Sequence, residues 1–376
     1  MKQIRGMIYT EQFRFEPGIL TVEEDIIKSV ERCNEAELSK EEAEQYVIPG
    51  LVDIHFHGCA GYDFCDGTKE AILAISEYEL SKGITTICPA TMTLSKEKLI
   101  QICHTAADAQ MEHMKGIYLE GPFVSYEKRG AQNPEYIRKA DLDLLDELQK
   151  VSGGLIKVVA IAPEEEGALE CIRDGSNRYR FSIAHTCADY DTAKAAIQAG
   201  ILQVTHLYNA MPPFSHRAPG VIGAAAEETE VAVELICDGI HVHPSVVRST
   251  FKLFGDERVI LISDSMMATG MQDGSYALGG QKVEVKGKLA LLENGTIAGS
   301  VTNLFECMCH AVEMGIPKES AIRAATINPA RAIGIDGEFG SLQAGKKADI
   351  LILNRDFSIQ KIMKSGKNIK SSFAFS

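Results

Sequence analysis

The stretch from residue 49 to residue 58 reads Pro49-Gly50-Leu51-Val52-Asp53-Ile54-His55-Phe56-His57-Gly58. Its apolar part, Leu51 to His55, predicts a buried β-strand that ends in polar residues. Side chains alternate between the two faces of a strand, so His55 and His57 point to the same side, as two ligands of one metal ion require. The stretch therefore predicts a strand with a candidate metal site at its carboxyl end.

Seven similar β-branched runs follow, and helical stretches lie between them at intervals of roughly 20 to 40 residues. The candidate strands are Ile84 to Cys88, Gly116 to Leu119, Lys157 to Ile161, Phe181 to Ala184, Leu202 to Thr205, Val231 to Ile236 and Val259 to Ser263. The helical stretches include Lys69 to Ser81, Lys96 to His113, Leu142 to Lys150, Asp191 to Ala199 and Pro244 to Phe254. Eight parallel strands with intervening helices predict an α/β fold, a (β/α)8 barrel of the TIM type, with a doubly wound open sheet as the second candidate.

The two ends of the chain do not follow this alternation of strands and helices. Residues 1–48 and 340–376 contain short strands and predict one small β-sandwich domain formed by both termini, because chain ends often lie close together. Residues 49–339 are left for the barrel. Within them, the turn sequences Gly279-Gly280 and Asn294-Gly295 predict a β-hairpin insert near residues 276–298.

Composition narrows the class of protein. The 376 residues are 45% hydrophobic and 24% charged, which is typical of a globular chain. No apolar run approaches the roughly 20 residues of a membrane helix, and the N-terminus lacks the apolar region of a secretory signal. We therefore expect a cytoplasmic protein without a membrane partner. The 38 basic and 52 acidic residues give a net charge of -14, which disfavours a nucleic-acid partner, and the ten scattered cysteines disfavour a disulfide framework.

Polar residues also follow other candidate strands. Glu120 ends the third strand, His185 the fifth, His206 the sixth and Asp264 the eighth. The carboxyl ends of barrel strands meet at one face, which is where barrel active sites are assembled. Four histidines and two carboxylates at that face predict a site for a divalent transition metal such as Zn, Fe, Mn or Co.

The sequence resembles the amidohydrolase superfamily in residues 49–58 and in the later His185, His206 and Asp264. Three further motifs resemble the N-acetylglucosamine-6-phosphate deacetylase family, and the similarity continues to Gly345. The motifs are Leu119-Glu120-Gly121-Pro122-Phe123, His206-Leu207-Tyr208-Asn209-Ala210-Met211-Pro212 and Asp238-Gly239-Ile240-His241. Many superfamily members carry a carbamylated lysine at the end of strand four, but this chain reads Ile161-Ala162-Pro163 there, and Glu120 is the available substitute.

The resemblance implies a role for each matching residue. Glu120, His185 and His206 match the main metal site, whereas His55 and His57 match the pair that supports a second ion in some members, so the resemblance implies one or two ions per chain. Asp264 matches the catalytic acid/base. The residues that match the phosphate and sugar contacts are Arg217, His241, Asn209 and Ala210. Some members have a substrate-contacting histidine where this chain has Gln132, so an amide replaces that contact. The resemblance also implies a homodimer in which the loop bearing Arg217 reaches the neighbour's site.

The activity implied by the resemblance is metal-dependent hydrolysis of the acetamide of N-acetyl-D-glucosamine 6-phosphate, a phosphosugar, to D-glucosamine 6-phosphate and acetate. This reaction belongs to amino-sugar catabolism and cell-wall sugar recycling. Three alternatives stay open: deacetylation of another N-acyl amino-sugar phosphate such as N-acetylgalactosamine 6-phosphate, a different amidohydrolase reaction such as the opening of a cyclic amide, and a non-enzymatic paralogue. The polar strand ends disfavour the last, because a scaffold has no need for a costly buried charge cluster.

Overall fold

The computed structural model describes residues 1–369, so the last seven residues of the predicted terminal domain lie outside the described residues. The strands are β1 (Lys2–Tyr9), β2 (Phe15–Glu23), β3 (Ile26–Arg32), β4 (Tyr46–Pro49), β5 (Leu51–Asp53), β6 (Gly58–Cys59), β7 (Tyr62–Asp63), β8 (Ile84–Ile87), β9 (Ala90–Thr91), β10 (Ile117–Phe123), β11 (Ile156–Ile161), β12 (Arg180–Ile183), β13 (Gln203–Val204), β14 (Ala232–Ile236), β15 (Val259–Ile262), β16 (Gly274–Leu278), β17 (Gln281–Lys286), β18 (Leu289–Leu292), β19 (Ile350–Leu353), β20 (Ile359–Lys364) and β21 (Lys367–Ile369). The helices are α1 (Lys40–Ala43), α2 (Lys69–Ser81), α3 (Lys96–Ala109), α4 (Leu142–Val151), α5 (Ala168–Gly175), α6 (Tyr190–Ala199), α7 (Gly220–Glu227), α8 (Pro244–Phe254), α9 (Leu304–Glu313), α10 (Lys318–Ala325) and α11 (Ile327–Ala332).

The parallel strands form a curled barrel. Seven of them pair in the order β15-β14-β13-β12-β11-β10-β9, and β5 pairs in parallel with β8. The ring closes between its first and last strands, where the Asp264 N–H donates to the His55 carbonyl at 3.0 Å and the His57 N–H donates to the Ser265 carbonyl at 2.7 Å. The predicted (β/α)8 barrel is therefore confirmed, and the open sheet is excluded.

The barrel strands are buried on both faces, which explains their continuous apolar runs. Along β11, Val158 and Ala160 belong to one apolar cluster, whereas Val159 and Ile161 belong to another. Residues of α11 join the cluster of Val158, and the Asn328 side chain in that helix donates to the carbonyl of Val259, the first residue of β15. Helix α11 thus closes the amino end of the barrel and leaves the carboxyl end open.

The two ends of the chain form one seven-stranded sheet, with the order β21-β20-β19-β4-β1-β2-β3. Its outer strand β3 curves back to the segment before β19, where the Ile27 N–H donates to the Lys346 carbonyl and the Gly345 N–H donates to the Ile27 carbonyl, both at 2.8 Å. The sheet therefore folds over its own apolar face, which buries a separate cluster that includes Leu20 and Ile350. This arrangement confirms a β unit built from both termini.

Two local features differ from the sequence prediction. Helix α3 ends at Ala109 rather than His113, because Gln110 adopts the left-handed conformation with φ 46°. The insert after the eighth barrel strand contains three antiparallel strands, β16 to β18, because Gly287 (φ 57°) adds a tight turn between the two predicted turns at Gly279-Gly280 and Asn294-Gly295. Among the described residues, no helix is long and apolar enough to cross a membrane.

Candidate metal-binding active site

Glu120, on β10, is at the centre of the site. Its Oε1 atom lies 3.0 Å from Nε2 of both His185 and His206, and these two nitrogens are 3.1 Å apart. All three residues are buried. Three electron-pair donors that converge in a buried place fit a cation of the borderline kind that imidazole and carboxylate prefer.

A second group of donors adjoins the first. His57 Nε2 lies 3.2 Å from Glu120 Oε2 and 3.3 Å from Asp264 Oδ1, and His55 Nε2 lies 3.5 Å from Glu120 Oε1. The candidate ligand atoms of His55, His57 and Glu120 lie within 4.8 Å of one another, as do those of Glu120, His185 and His206. Glu120 belongs to both groups, so the donors present fit one ion or two.

The backbone at the strand ends turns sharply to present these side chains. His185, His206 and Asp264 follow β12, β13 and β15, and their φ angles are 43°, 27° and 49°. Residues other than glycine rarely adopt positive φ, and such strain concentrates at functional sites. Gly121, next to Glu120, has φ 98°, and a Cβ atom there would lie 2.1 Å from the Thr93 hydroxyl, so no other residue fits.

Hydrogen bonds on the far side of two imidazoles set their tautomers. His55 Nδ1 lies 2.8 Å from Glu234 Oε2, and His185 Nδ1 lies 2.9 Å from the Lys128 carbonyl. Because these oxygens accept, Nδ1 donates in both rings, which leaves the Nε2 electron pair for a metal. The Nε2 atom of His55 is buried without a hydrogen-bond partner among the described residues. This unmet electron pair is what a metal ligand would show.

The charges of the site depend strongly on one another. Burial raises the pKa of Glu120, but hydrogen bonds from His185 and His206 outweigh it and hold that pKa well below its ordinary value. Burial has the opposite sign for a histidine and lowers the pKa of His57, yet Asp264 and Glu120 raise that pKa to about 10. The carboxylates thus require positive charge beside them. A bound cation supplies that charge and displaces the protons, which is the usual linkage of metal and proton binding.

His241 lies in the wall of the same cleft as the candidate metal donors. Its Nδ1 donates to Asp238 Oδ2 at 2.6 Å, and Asp238 Oδ1 accepts the N–H groups of Ile240 and His241 at 2.9 Å each. Burial opposes protonation of His241, but Asp238 outweighs it and raises the pKa of the ring. Asp238 therefore favours an imidazolium, a positively charged hydrogen-bond donor, in this wall.

A cleft of about 590 Å³ opens above these residues. Asn209 and Ala210 line it on one side, and Leu278, Gln281 and Asn294 of the insert line it on another. The predicted site residues that share this cleft are His57, Glu120, Gln132, His185, His206, Asn209, Ala210, His241 and Asp264. His55 adjoins them beneath His57 and is fully buried.

Two residues predicted to contact substrate lie differently. Arg217 is on the exposed stretch 213–218 and does not line the cleft of its own chain. Gln132 lines the cleft but is hydrogen-bonded to Glu120. His243, two residues after His241, is exposed, and its Nδ1 accepts the Ser245 N–H at the start of α8.

Sequence reasoning missed two supporting carboxylates. Glu234 is fully buried inside the otherwise apolar strand β14. A carboxyl residue within an apolar run was the feature of the sequence that could have pointed to it. Glu234 also accepts the His206 N–H at 3.3 Å and the Gln203 side-chain amide, so it supports two metal-site histidines. Asp238 was part of a quoted motif, but its bond to His241 depends on a turn that the sequence did not define.

Comparison with known proteins places this geometry in a family. The model of the amidohydrolase family matches residues 46–369. The N-acetylglucosamine-6-phosphate deacetylase of Bacillus subtilis is 39% identical over 84% of this chain and 83% of its own. The N-acetylgalactosamine-6-phosphate deacetylase of Escherichia coli O157:H7 is 33% identical over 96% of this chain and 95% of its own. The crystal structure of the N-acetyl-D-glucosamine-6-phosphate deacetylase of Mycobacterium smegmatis has a TM-score of 0.92 and 32% identity, and covers 98% of this chain and 100% of that one. The chain therefore belongs to the amidohydrolase family and, within it, to the N-acetylglucosamine-6-phosphate deacetylases.

Proposed function

We propose that this chain hydrolyses the acetamide of N-acetyl-D-glucosamine 6-phosphate and releases D-glucosamine 6-phosphate and acetate. The observation that carries the proposal is the convergence of Glu120, two histidine pairs and Asp264 at the floor of one cleft. A mutant of the Mycobacterium smegmatis relative has been solved in complex with N-acetyl-D-glucosamine-6-phosphate, which supports the same substrate here.

In this proposal, Glu120, His185 and His206 hold the main divalent ion, and His55 and His57 support a second. Amide hydrolysis has two obstacles, because water is a poor nucleophile and an amide carbonyl is a poor electrophile. A bound ion of this kind would address both, since it lowers the pKa of water and polarises a carbonyl. The donor set suits Zn, Fe, Mn or Co. We propose one or two ions per chain, since Glu120 belongs to both donor groups.

Asp264 moves the proton. Burial raises its pKa, but the hydrogen bond from His57 and the neighbouring positive charge lower it on balance, so the carboxylate is ionised at neutral pH. It accepts the proton of the attacking water and then delivers it to the departing sugar amine. His241, held by Asp238, donates from Nε2 to the carbonyl oxygen as negative charge develops there.

The substrate's phosphate needs cations in a chain whose net charge is -14. We propose that Arg217 and His241, with Asn209 and Ala210, hold the phosphate and sugar. Because Arg217 is exposed outside its own cleft, in the same exposed stretch as Phe214, we propose a homodimer in which this loop reaches the partner's cleft. A charged sugar phosphate does not cross a bilayer unaided, which supports a cytoplasmic location.

The test measures acetate release and metal content together. The wild-type chain, loaded separately with Zn²⁺, Fe²⁺, Mn²⁺ or Co²⁺, should release acetate from N-acetylglucosamine 6-phosphate. His185→Ala and Glu120→Ala should lose the main ion and turnover, whereas His55→Ala should lose at most the second ion and His243→Ala should match wild type. Full activity and metal content in the first two variants, or no acetate release from any loaded wild-type sample, would refute the proposal.

Deacetylation of the galactosamine epimer is the second candidate, because the Escherichia coli relative named for that reaction matches 96% of this chain. The two sugars differ only in the stereochemistry of one hydroxyl. Assays of both epimers under identical metal loading give the ratio of kcat/KM, and a ratio of at least 10 in favour of the galactosamine sugar would replace the proposed substrate with its epimer.

A further inference from the structure

Gln132 occupies a buried position between a metal-site carboxylate and the backbone. Its side chain is bonded at both ends: Nε2 donates to Glu120 Oε2 at 2.7 Å, and Oε1 accepts the Thr93 N–H at 2.6 Å. The other side of the amide nitrogen contacts the Met92 sulfur at 3.7 Å. The residue is only 2% exposed.

These partners settle which way the amide points. Thr93 offers an N–H group, which requires the amide oxygen, and Glu120 offers a carboxylate oxygen, which requires the amide nitrogen. The flipped amide would place oxygen against oxygen and two donors against each other. Both strong hydrogen bonds of the amide are therefore made within the protein, and its second N–H makes only the weak contact to the Met92 sulfur.

We infer that Gln132 is a positioning residue for Glu120 and not the substrate contact that its place in the family motif implies. Its amide anchors the Glu120 carboxylate so that Oε1 faces His185 and His206 while Oε2 faces His57. Without the anchor, the carboxylate is free to rotate and give both oxygens to one ion. Gln132 thereby holds Oε2 toward His57 and leaves Oε1 to His55, His185 and His206.

The inference rests on the proposed metal centre, and its test measures metal affinity separately from substrate affinity. Gln132→Met keeps the length and loses both hydrogen bonds. We expect its Kd for Zn²⁺, measured by competition with a chelator, to rise about 10- to 100-fold, the usual effect of losing such a support. At saturating metal, KM for the sugar phosphate should stay within about 2-fold of wild type, as expected for a residue that does not touch substrate.

A spectroscopic measurement separates positioning from a loss of fold. The visible absorption of bound Co²⁺ reports its coordination number, so Gln132→Met should change the spectrum whereas Gln281→Met should not. Gln281 is a matched control because it lies in the same cleft wall and its amide bonds the Ala131 carbonyl rather than Glu120. If Gln132→Met does not fold, Gln132→Asn keeps the amide but is one methylene too short to span both contacts, and it should show the same changes.

Two results would overturn the inference: an unchanged Kd for metal together with a KM raised 10-fold or more, which would make Gln132 a substrate contact, and no change in Kd, KM or spectrum. A wild-type chain that binds no Zn²⁺ or Co²⁺ would instead refute the proposed metal centre itself. The two failures are therefore distinguishable.

Discussion

Asp264 is the proposed acid/base of the site. It stands beside His57, outside the two donor groups that share Glu120. Asn has nearly the same shape but does not exchange a proton at neutral pH. We expect Asp264→Asn to keep the fold and the main ion while kcat falls by about 10² to 10⁴, the range for a positioned acid/base. Steady-state kinetics on protein with measured metal content checks this, and a metal-replete variant within a few-fold of wild type would exclude the proton transfer.

Asp238 should control the pH range of activity through His241. Burial opposes a protonated His241, and Asp238 outweighs it to raise the pKa, so the imidazolium persists above the ordinary pKa of histidine. Activity that needs this imidazolium is lost as pH rises through the raised pKa. Asp238→Asn removes the cause of the increase, so the alkaline limb of kcat should move to lower pH.

The pH profile of Asp108→Asn provides the control, because it removes the same charge from the exposed face of α3. An alkaline limb that stays in place in Asp238→Asn would show that another group sets it.

Among single residues, the sequence predicted the candidate metal ligands but not the residues that hydrogen-bond to those ligands. His55 and His57 were readable because strand alternation alone places them together. Glu234 acts through a contact with His55, 179 positions away along the chain, and Gln132 acts through a contact with Glu120, 12 positions away across a loop. Such contacts depend on the packed geometry of several strands and loops, which periodicity does not encode.

Among the elements, α11 depends on one side chain for its place under the barrel. The amide nitrogen of Asn328 donates to the carbonyls of Asp256 and Val259, both at 2.7 Å, and the residue is buried. Asn328→Ala would leave both carbonyls without this donor. We expect the free energy of unfolding to fall by about 2 kcal/mol, measured by chemical denaturation.

Ser249→Ala is a suitable comparison, because the Ser249 hydroxyl is exposed and, within residues 1–369, bonds only inside its own helix. A loss in Asn328→Ala no larger than in Ser249→Ala would mean that α11 is held by apolar packing alone.

The element boundaries show where sequence patterns succeed. Helices α2 and α8 begin and end where predicted, because Thr68 and Pro244 are clear start signals and apolar spacing is regular. The end of α3 was missed since Gln110 adopts a left-handed conformation that its residue type does not announce. The third barrel strand extends to Phe123 through Gly121-Pro122, a pair that sequence reasoning takes as a strand end.

For the molecule as a whole, Lys364 joins the terminal sheet to the barrel. Its ammonium group donates to the Thr85 carbonyl at 2.8 Å and to Asp349 Oδ2 at 2.7 Å, and both side chains of the ion pair are about 95% buried. Lys364→Met would leave Asp349 as a buried charge without this partner. We expect a loss of about 3–5 kcal/mol in stability, measured as a lower Tm and denaturation midpoint.

The double variant Lys364→Met with Asp349→Asn should recover much of that loss, because no charge then stays buried alone. A single variant as stable as wild type would show that solvent reaches Asp349 and that the Lys364 ammonium group does not hold the terminal sheet to the barrel.

The sequence predicted that both termini share one β unit, because neither end shows the alternating strands and helices of the barrel. It did not predict that β4 would stand between β1 and β19, which depends on a parallel pairing with one and an antiparallel pairing with the other. Neither register leaves a local signal, since the partners are separated by long stretches of chain.

This central place of β4 affects the order in which the protein is made. Its partner β19 leaves the ribosome about 300 residues later, which at about 5 to 20 residues per second is a wait of about 15 to 60 s. Throughout that time one edge of β4 is a row of unpaired peptide groups that another nascent chain can extend. The fold therefore exposes β4 to intermolecular strand pairing until β19 has been made, and chaperones that cover this strand should raise the yield of native enzyme more than those that act after chain release.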